Sequence, residues 1–193
     1  MGASILPITV HNGKVMLLFG KERASDENPG WSDFGGGTDN KETFLETAVR
    51  EGTEELTGFL GSFDQIKTIL KNGTFNIDNT TEGFETFRTH IFPLEYDEKL
   101  PYYYNNNQQF LQKKLDQSLI KKSKIFEKSE IKWFSIDDLI KRKKDFKKWY
   151  QEIINKIINS KLDIYKFINQ RHKHKSTRKN ISIKHKKTKS KRY

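Results

Sequence analysis

The chain has no cysteine, which excludes disulfide staples and thiol catalysis. A reducing interior such as the cytosol suits that composition. No run approaches the roughly 18 consecutive apolar residues of a membrane span. The opening MGASILPITV has no basic stretch followed by a long apolar one, and Leu6 stands where a myristoylation pattern wants Ser or Thr. Neither secretion nor a lipid anchor is therefore expected. Apolar residues are scarce too, 34% against 32% charged, so part of the chain is expected to stay unpacked. No internal repeat is evident. At 193 residues there is enough chain for one domain with a real core and hardly enough for two.

The charge that is present lies unevenly. Of the 36 Lys and Arg, eleven fall in residues 171–193, which hold no Asp or Glu; the rest of the chain balances at 25 basic against 25 acidic residues. The net +11 therefore belongs to the tail. From Met1 to Ile120 eleven basic residues face eighteen acidic ones, so the first half is acidic. The expected division is one domain over 1–170 and a basic, disordered tail over 171–193. A flexible polycation binds phosphate polymers by counterion release, which makes nucleic acid the expected partner of the tail and an anionic membrane or a localisation receptor the next.

Chemistry concentrates between Gly35 and Gly58, GGGTDNKETFLETAVREGTEELTG. Glu51, Glu54 and Glu55 stand at i, i+3 and i+4, which on a helix puts three carboxylates on one face. Like charges that close need something positive among them. All-oxygen ligation in a chain without cysteine points to Mg²⁺ or Mn²⁺ rather than zinc or copper. Gly35, Gly36 and Gly37 form a loop ahead of the helix where backbone groups can approach a phosphate or the metal. The helix is expected to start near Asp39 or Asn40 and to turn Leu45, Ala48, Val49, Gly52 and Leu56 inward. Arg50 follows Glu42 by eight residues and Glu46 by four, two possible carboxylate partners.

The pattern Gly36, five residues, Glu42, seven residues, Arg50, Glu51, two residues, Glu54, Glu55 resembles the signature box of the Nudix hydrolases. Two positions depart from it. Gly52 replaces an apolar residue, at a helix cost of about 1 kcal/mol that close packing on a strand would compensate. Thr57 stands where a glycine is expected, with Gly58 one place late. The resemblance runs from about Ile5 to Leu139 and implies an α/β/α sandwich with a mixed sheet. It also implies cleavage of the pyrophosphate linkage in a nucleoside diphosphate derivative, assisted by Mg²⁺ or Mn²⁺ on Glu51, Glu54, Glu55 and the carbonyl of Gly35. Arg50 would orient Glu51 or its neighbours. In Nudix domains a Glu shortly before the last-strand Trp can add a metal ligand or base; Glu130 is the candidate, with Glu127 behind it and Glu51 the competing base. An RNA 5′ end, held by the tail for decapping, is the alternative substrate, and a non-catalytic RNA-binding protein on the same scaffold is the third reading.

The flanks read as follows. Ser4–Val10 and Lys14–Phe19 form a hairpin about His11, Asn12 and Gly13. Trp31 is either core or a face for a nucleobase. A strand is expected at Phe63–Leu70, a polar turn region at Asn72–Gly83, and a central strand at Phe84–Phe92. Glu82 and Glu85 are either cleft carboxylates or solvent-facing ones, and His90 is a satisfied strand histidine more readily than a base. Asp97–Gln109 reads as an irregular insertion whose phenols, Tyr103 among them, either stack on a base or pack on the surface. Ser135 with Asp138 signals a helix start, and Phe146 to Ile158 carries an amphipathic helical period, with Leu162–Ile168 continuing it.

Overall fold

The computed structural model describes residues 1–23, 29–39, 41–80, 85–122 and 126–170. The expected disordered tail, and Glu82, lie outside the described residues. β1 (Gly2–His11) and β2 (Lys14–Glu22) form the expected hairpin. Asn12 and Gly13 take φ of 49° and 72°, the consecutive positive angles that a two-residue turn needs to match strand twist.

β1 is the spine. It runs parallel to β6 (Thr86–Pro93) along one edge. Along the other, its C-terminal half pairs with β2 and its N-terminal half with β4 (Phe34–Gly37), both antiparallel. β3 (Trp31–Ser32) and β7 (Lys128–Ser135) add to β2, and β5 (Phe75–Thr80) adds to β6, completing a mixed seven-stranded sheet. Being buried on both faces, β1 reads as a nearly unbroken apolar run, and its side chains alternate between two cores. Ala3 and Ile5 face α1 (Phe44–Glu55), α2 (Phe63–Lys71) and α3 (Leu100–Lys114). Leu6 and Ile8 face α5 (Ile136–Lys141), α6 (Gln151–Asn159) and the helical residues 161–170. α4 (Gln117–Lys122) leads towards β7. The expected three-layer sandwich is thus present, and among the described residues no helix is long and apolar enough to cross a membrane.

Four local expectations are corrected. Phe63–Leu70 is helical, because Ser62 and Gln65 form a reciprocal cap and Ile66 and Leu70, four apart, bury one face. The polar segment after it contains strand β5, whose Ile77 and Asn79 alternate inward. The tyrosine-rich stretch is helix α3 rather than an irregular loop, with Pro101 in the first turn where its missing N–H costs nothing. The cap of α1 is Thr43, paired reciprocally with Glu46, and not Asp39 or Asn40.

α1 crosses β1 closely at Gly52. A Cβ there would stand 2.3 Å from Ile5 Cδ1 and 2.5 Å from its Cγ1. That contact explains the departure from an apolar residue: the helix is seated by the missing side chain. G52A gains about 1 kcal/mol of helix propensity and loses about 1–3 kcal/mol to overpacking. It is therefore expected to lower stability in urea melts, and I5V to recover part of the loss; a G52A chain as stable as the parent would contradict this seating.

Candidate active site

The chemistry of α1 is ordered by Arg50. Its Nε and Nη2 donate to Glu42 Oε1 and Oε2 at 2.8 and 2.9 Å, a bidentate pair. Nη2 also donates to the carbonyl of Gly37 at 3.1 Å, and Nη1 donates to Glu51 Oε1 at 2.6 Å. Nη1 stands 3.8 Å from Glu54 Oε2 as well. The guanidinium hydrogen bonds hold the Glu42 carboxyl down at about 2, and those same bonds, outweighing burial, hold Arg50 charged far beyond its ordinary range. Glu46 is not a partner of Arg50: it accepts from Thr43 in the helix cap.

The glycine bend lies against this cluster. Gly36 has no room for a side chain, since a Cβ would meet the Glu51 carboxylate at 2.7 Å. Gly35 N–H donates to Glu55 Oε2 at 3.0 Å. The other oxygen of Glu55 is 3.3 Å from Lys128 Nζ, and both residues are almost wholly buried. Lys128 also donates to Glu22 at 2.5 Å and Ser32 Oγ at 2.9 Å, while Lys147 reaches Glu22 at 2.8 Å. Burial pushes the Glu55 carboxyl well up, with Lys128 opposing. Burial also works against the Lys128 ammonium, but Glu55 and Glu22 outweigh it and keep the lysine charged.

The bend is anchored from behind by Asp33. Its buried carboxylate accepts from Ser4 Oγ on β1 and from Thr89 Oγ1 on β6. Burial raises its pKa to about 6, with the bonds from Ser4 and Thr89 opposing.

The sequence-predicted residues are distributed as follows. Glu51, Glu54, Arg50, Gly35, Gly36 and Gly37 meet where the second half of α1 lies against the bend. Glu55 joins them, yet both its oxygens are engaged by Gly35 and Lys128. Glu130 does not join: it pairs with Lys21 at 3.7 Å, and Lys21 lies over the Trp31 ring, while its neighbour Ile131 packs in the core beneath α1. Trp31 is core, 3% exposed and edge-on to Phe134. Tyr103 is exposed on α3, ring against Tyr102, and is not among the residues lining the cleft at the bend; its neighbour Tyr104 is the buried phenol and donates to Glu55 O at 2.6 Å. Glu85 and Gly35–Gly37 line a cleft of about 590 Å³. His90 is held mainly by burial at about 4, with Arg88 adding to the effect, and bonds Thr74.

Reading the sequence missed Lys128 and Asp33. Lys128 carries no motif, and its only signal is a lysine opening a strand two residues before Glu130. Asp33 stood in view between Trp31 and Phe34 without spacing that marked it.

Among the described residues no three His, Cys, Asp or Glu side chains converge on one point. The charge among the carboxylates is the protein's own, from Arg50 and Lys128. The donor set still fits a hard cation at two of the three: Glu54 Oε2 is buried without a hydrogen-bond partner, and Glu51 lies against the bare backbone of Gly36. Carboxylate and carbonyl oxygens are the ligands Mg²⁺ and Mn²⁺ prefer.

Comparison with known proteins follows this geometry. The NUDIX domain model matches residues 1–157. A bifunctional NMN adenylyltransferase/ADP ribose pyrophosphatase from Francisella tularensis, solved with AMP and a Mn ion, superposes with a TM-score of 0.54 at 14% identity, over 82% of this chain and 41% of that one. An Ap4A hydrolase from C. elegans superposes with a TM-score of 0.47 at 16% identity, over 86% and 97% of the two chains. No curated protein sequence matches.

Asp33 makes a pH prediction. Its folded pKa of about 6 lies above the ordinary 3.8, so the folded chain holds this proton more tightly than the unfolded one. The resulting stability is full below the unfolded value and lost as pH rises through 6, at about 3 kcal/mol in all. Urea melts of wild type and D33N between pH 4 and 7.5 should diverge in favour of the variant as pH rises; parallel curves would contradict it.

Proposed function

Because the chain belongs to the NUDIX domain family, we propose that this Nudix pyrophosphohydrolase cleaves the pyrophosphate linkage of a nucleoside diphosphate derivative with Mg²⁺ or Mn²⁺. The observation that carries the reading is the Arg50 clamp, which presents Glu51 and Glu54 beside the glycine bend at the wall of a cleft. Glu51 and Glu54, with the carbonyl of Gly35, would hold the cation. A divalent ion bound there neutralises the diphosphate and polarises it for attack.

The protein's own groups do the rest. Arg50 fixes Glu51 in one rotamer, and Glu51 takes the proton of the attacking water. Water then displaces one phosphate at phosphorus, so the P–O bond of the bridge breaks as the new one forms. Gly36 and Gly37, bare of side chains, let the substrate phosphates approach the backbone. Glu55, held by Gly35 N–H and Lys128, positions the bend rather than touching substrate.

A second reading concerns the substrate. The eleven basic residues of 171–193, without an acid among them, suit an RNA 5′ end held for decapping, with a steep salt dependence. A non-catalytic RNA-binding scaffold is the third.

Turnover of GDP-glucose and of capped RNA by the full chain, by a chain ending at Gln170 and by E51Q and E51Q/E54Q tests all three. E51Q is expected to lower kcat by roughly 10² to 10⁴. Loss of RNA cleavage alone on truncation favours decapping, and turnover of GDP-glucose alone favours a small nucleotide. Wild-type rates in E51Q/E54Q would overturn the assignment of the carboxylates, and no turnover of either substrate leaves the scaffold.

A further inference from the structure

We infer that the exposed face of Trp149 is the platform for the substrate's base and that Glu152 selects guanine, an inference that rests on the hydrolysis proposed above and names its nucleotide. The cleft beside the glycine bend is also lined by Phe87, Trp149, Asn79 and Glu152. A diphosphate placed at the bend therefore delivers its nucleoside along this wall.

Trp149 is set as a rigid plate. Its ring meets Phe87 edge-on at 5.1 Å and 68°, and Tyr150 edge-on at 5.4 Å and 90°. Two edge contacts fix the indole and leave it 45% exposed, whereas Trp31 and Trp133 are 3% and 7% exposed. A large aromatic surface held still in a polar-rimmed cleft is a stacking site, because every base presents a π face and the side chain loses little freedom on binding.

The rim decides which base. Asn79 Oδ1 already accepts from Lys156 Nζ at 2.7 Å, which takes one of the two lone pairs of that oxygen. Glu152 is the open group: its side chain is 63% exposed, and its contact with Lys156 is a loose 3.7 Å. A carboxylate is acceptor-only. Guanine turns two donors, N1–H and the N2 amine, towards it, while adenine turns its N1 lone pair to the same place and leaves the carboxylate facing an acceptor. A mismatch of that kind is rejected more strongly than a missing apolar contact.

Quenching of intrinsic tryptophan fluorescence in the full chain reads this site without turnover, since Trp149 is the exposed indole. GDP is expected to quench and to bind at least about tenfold more tightly than ADP. W149A should lose the quench and, in isothermal titration calorimetry, which reads the variants that lack this indole, weaken GDP binding by roughly ten- to a hundredfold. W149F, which keeps the ring against Phe87, should lose the quench yet stay within a few-fold of the parent. E152Q should bring GDP and ADP close together. Equal affinity of the wild type for GDP and ADP, or unchanged GDP binding in W149A, overturns the inference. GDP binding of the expected kind without turnover of GDP-glucose or capped RNA overturns the hydrolysis and leaves the base site standing. Turnover whose KM is indifferent to W149A does the reverse. N7-methyl-GDP separates the sources of the guanine: a cationic base gains on an indole face, so tighter binding assigns an RNA cap, and equal or weaker binding a GDP-linked small molecule.

Discussion

One guanidinium aims the site. Arg50 takes both oxygens of Glu42, the carbonyl of Gly37 and one oxygen of Glu51, and so ties the segment before α1, the glycine bend and the middle of the helix to a single planar group. Arginine suits this because its donors are fixed in a planar fork that takes a carboxylate bidentately and it stays charged throughout; a lysine ammonium has no such fork. The consequence is that Glu51 has little freedom to turn away. Its position against the backbone of Gly36 also needs that residue to lack a side chain, so clamp and bend are one device.

Behind the clamp the protein supplies a second charge of its own. Lys128, fully buried between Glu22 and Glu55, with Lys147 on the same oxygen of Glu22, joins the start of β7 to α1. Buried ion clusters of this kind repay their desolvation only when their members are well bonded, and removing one member leaves another stranded. Glu55 therefore differs from the two carboxylates before it although all three share a helix face. It is spoken for by the fold, whereas Glu54 keeps a buried oxygen without a hydrogen-bond partner. Asp33 does comparable work for the other side of the bend, stitching it to β1 and β6.

Much of this was legible in the sequence where the physics is local. The hairpin about Asn12-Gly13, the acidic face of α1, the Ser135 cap and the central strand before Pro93 all follow from spacing and turn chemistry. Gly52 was legible as an anomaly whose explanation had to be tertiary, and the contact with Ile5 supplies it. The misses share a cause. Phe63–Leu70 has bulky residues that read as strand, but the Ser62–Gln65 cap and the Ile66–Leu70 interval decide for helix. α3, with its run of Tyr and Asn, has weak intrinsic preference, and packing on β7 and Glu55 orders it. Glu130 was placed in the site by its neighbours in the chain, yet strand alternation turns it to the opposite face, and of the two readings open for Trp31 the structure shows core. Lys128 was invisible because a buried lysine depends on partners about 70 and 100 residues away, which no local pattern encodes.

Glu51 and Glu54, aimed by Arg50 beside the glycine bend, are proposed to hold a hard divalent cation. Electron paramagnetic resonance of Mn²⁺ titrated into the full chain measures that directly. The result expected is saturable uptake that disappears in E51Q/E54Q; a wild-type chain in whose presence the Mn²⁺ spectrum stays that of the free ion would contradict it.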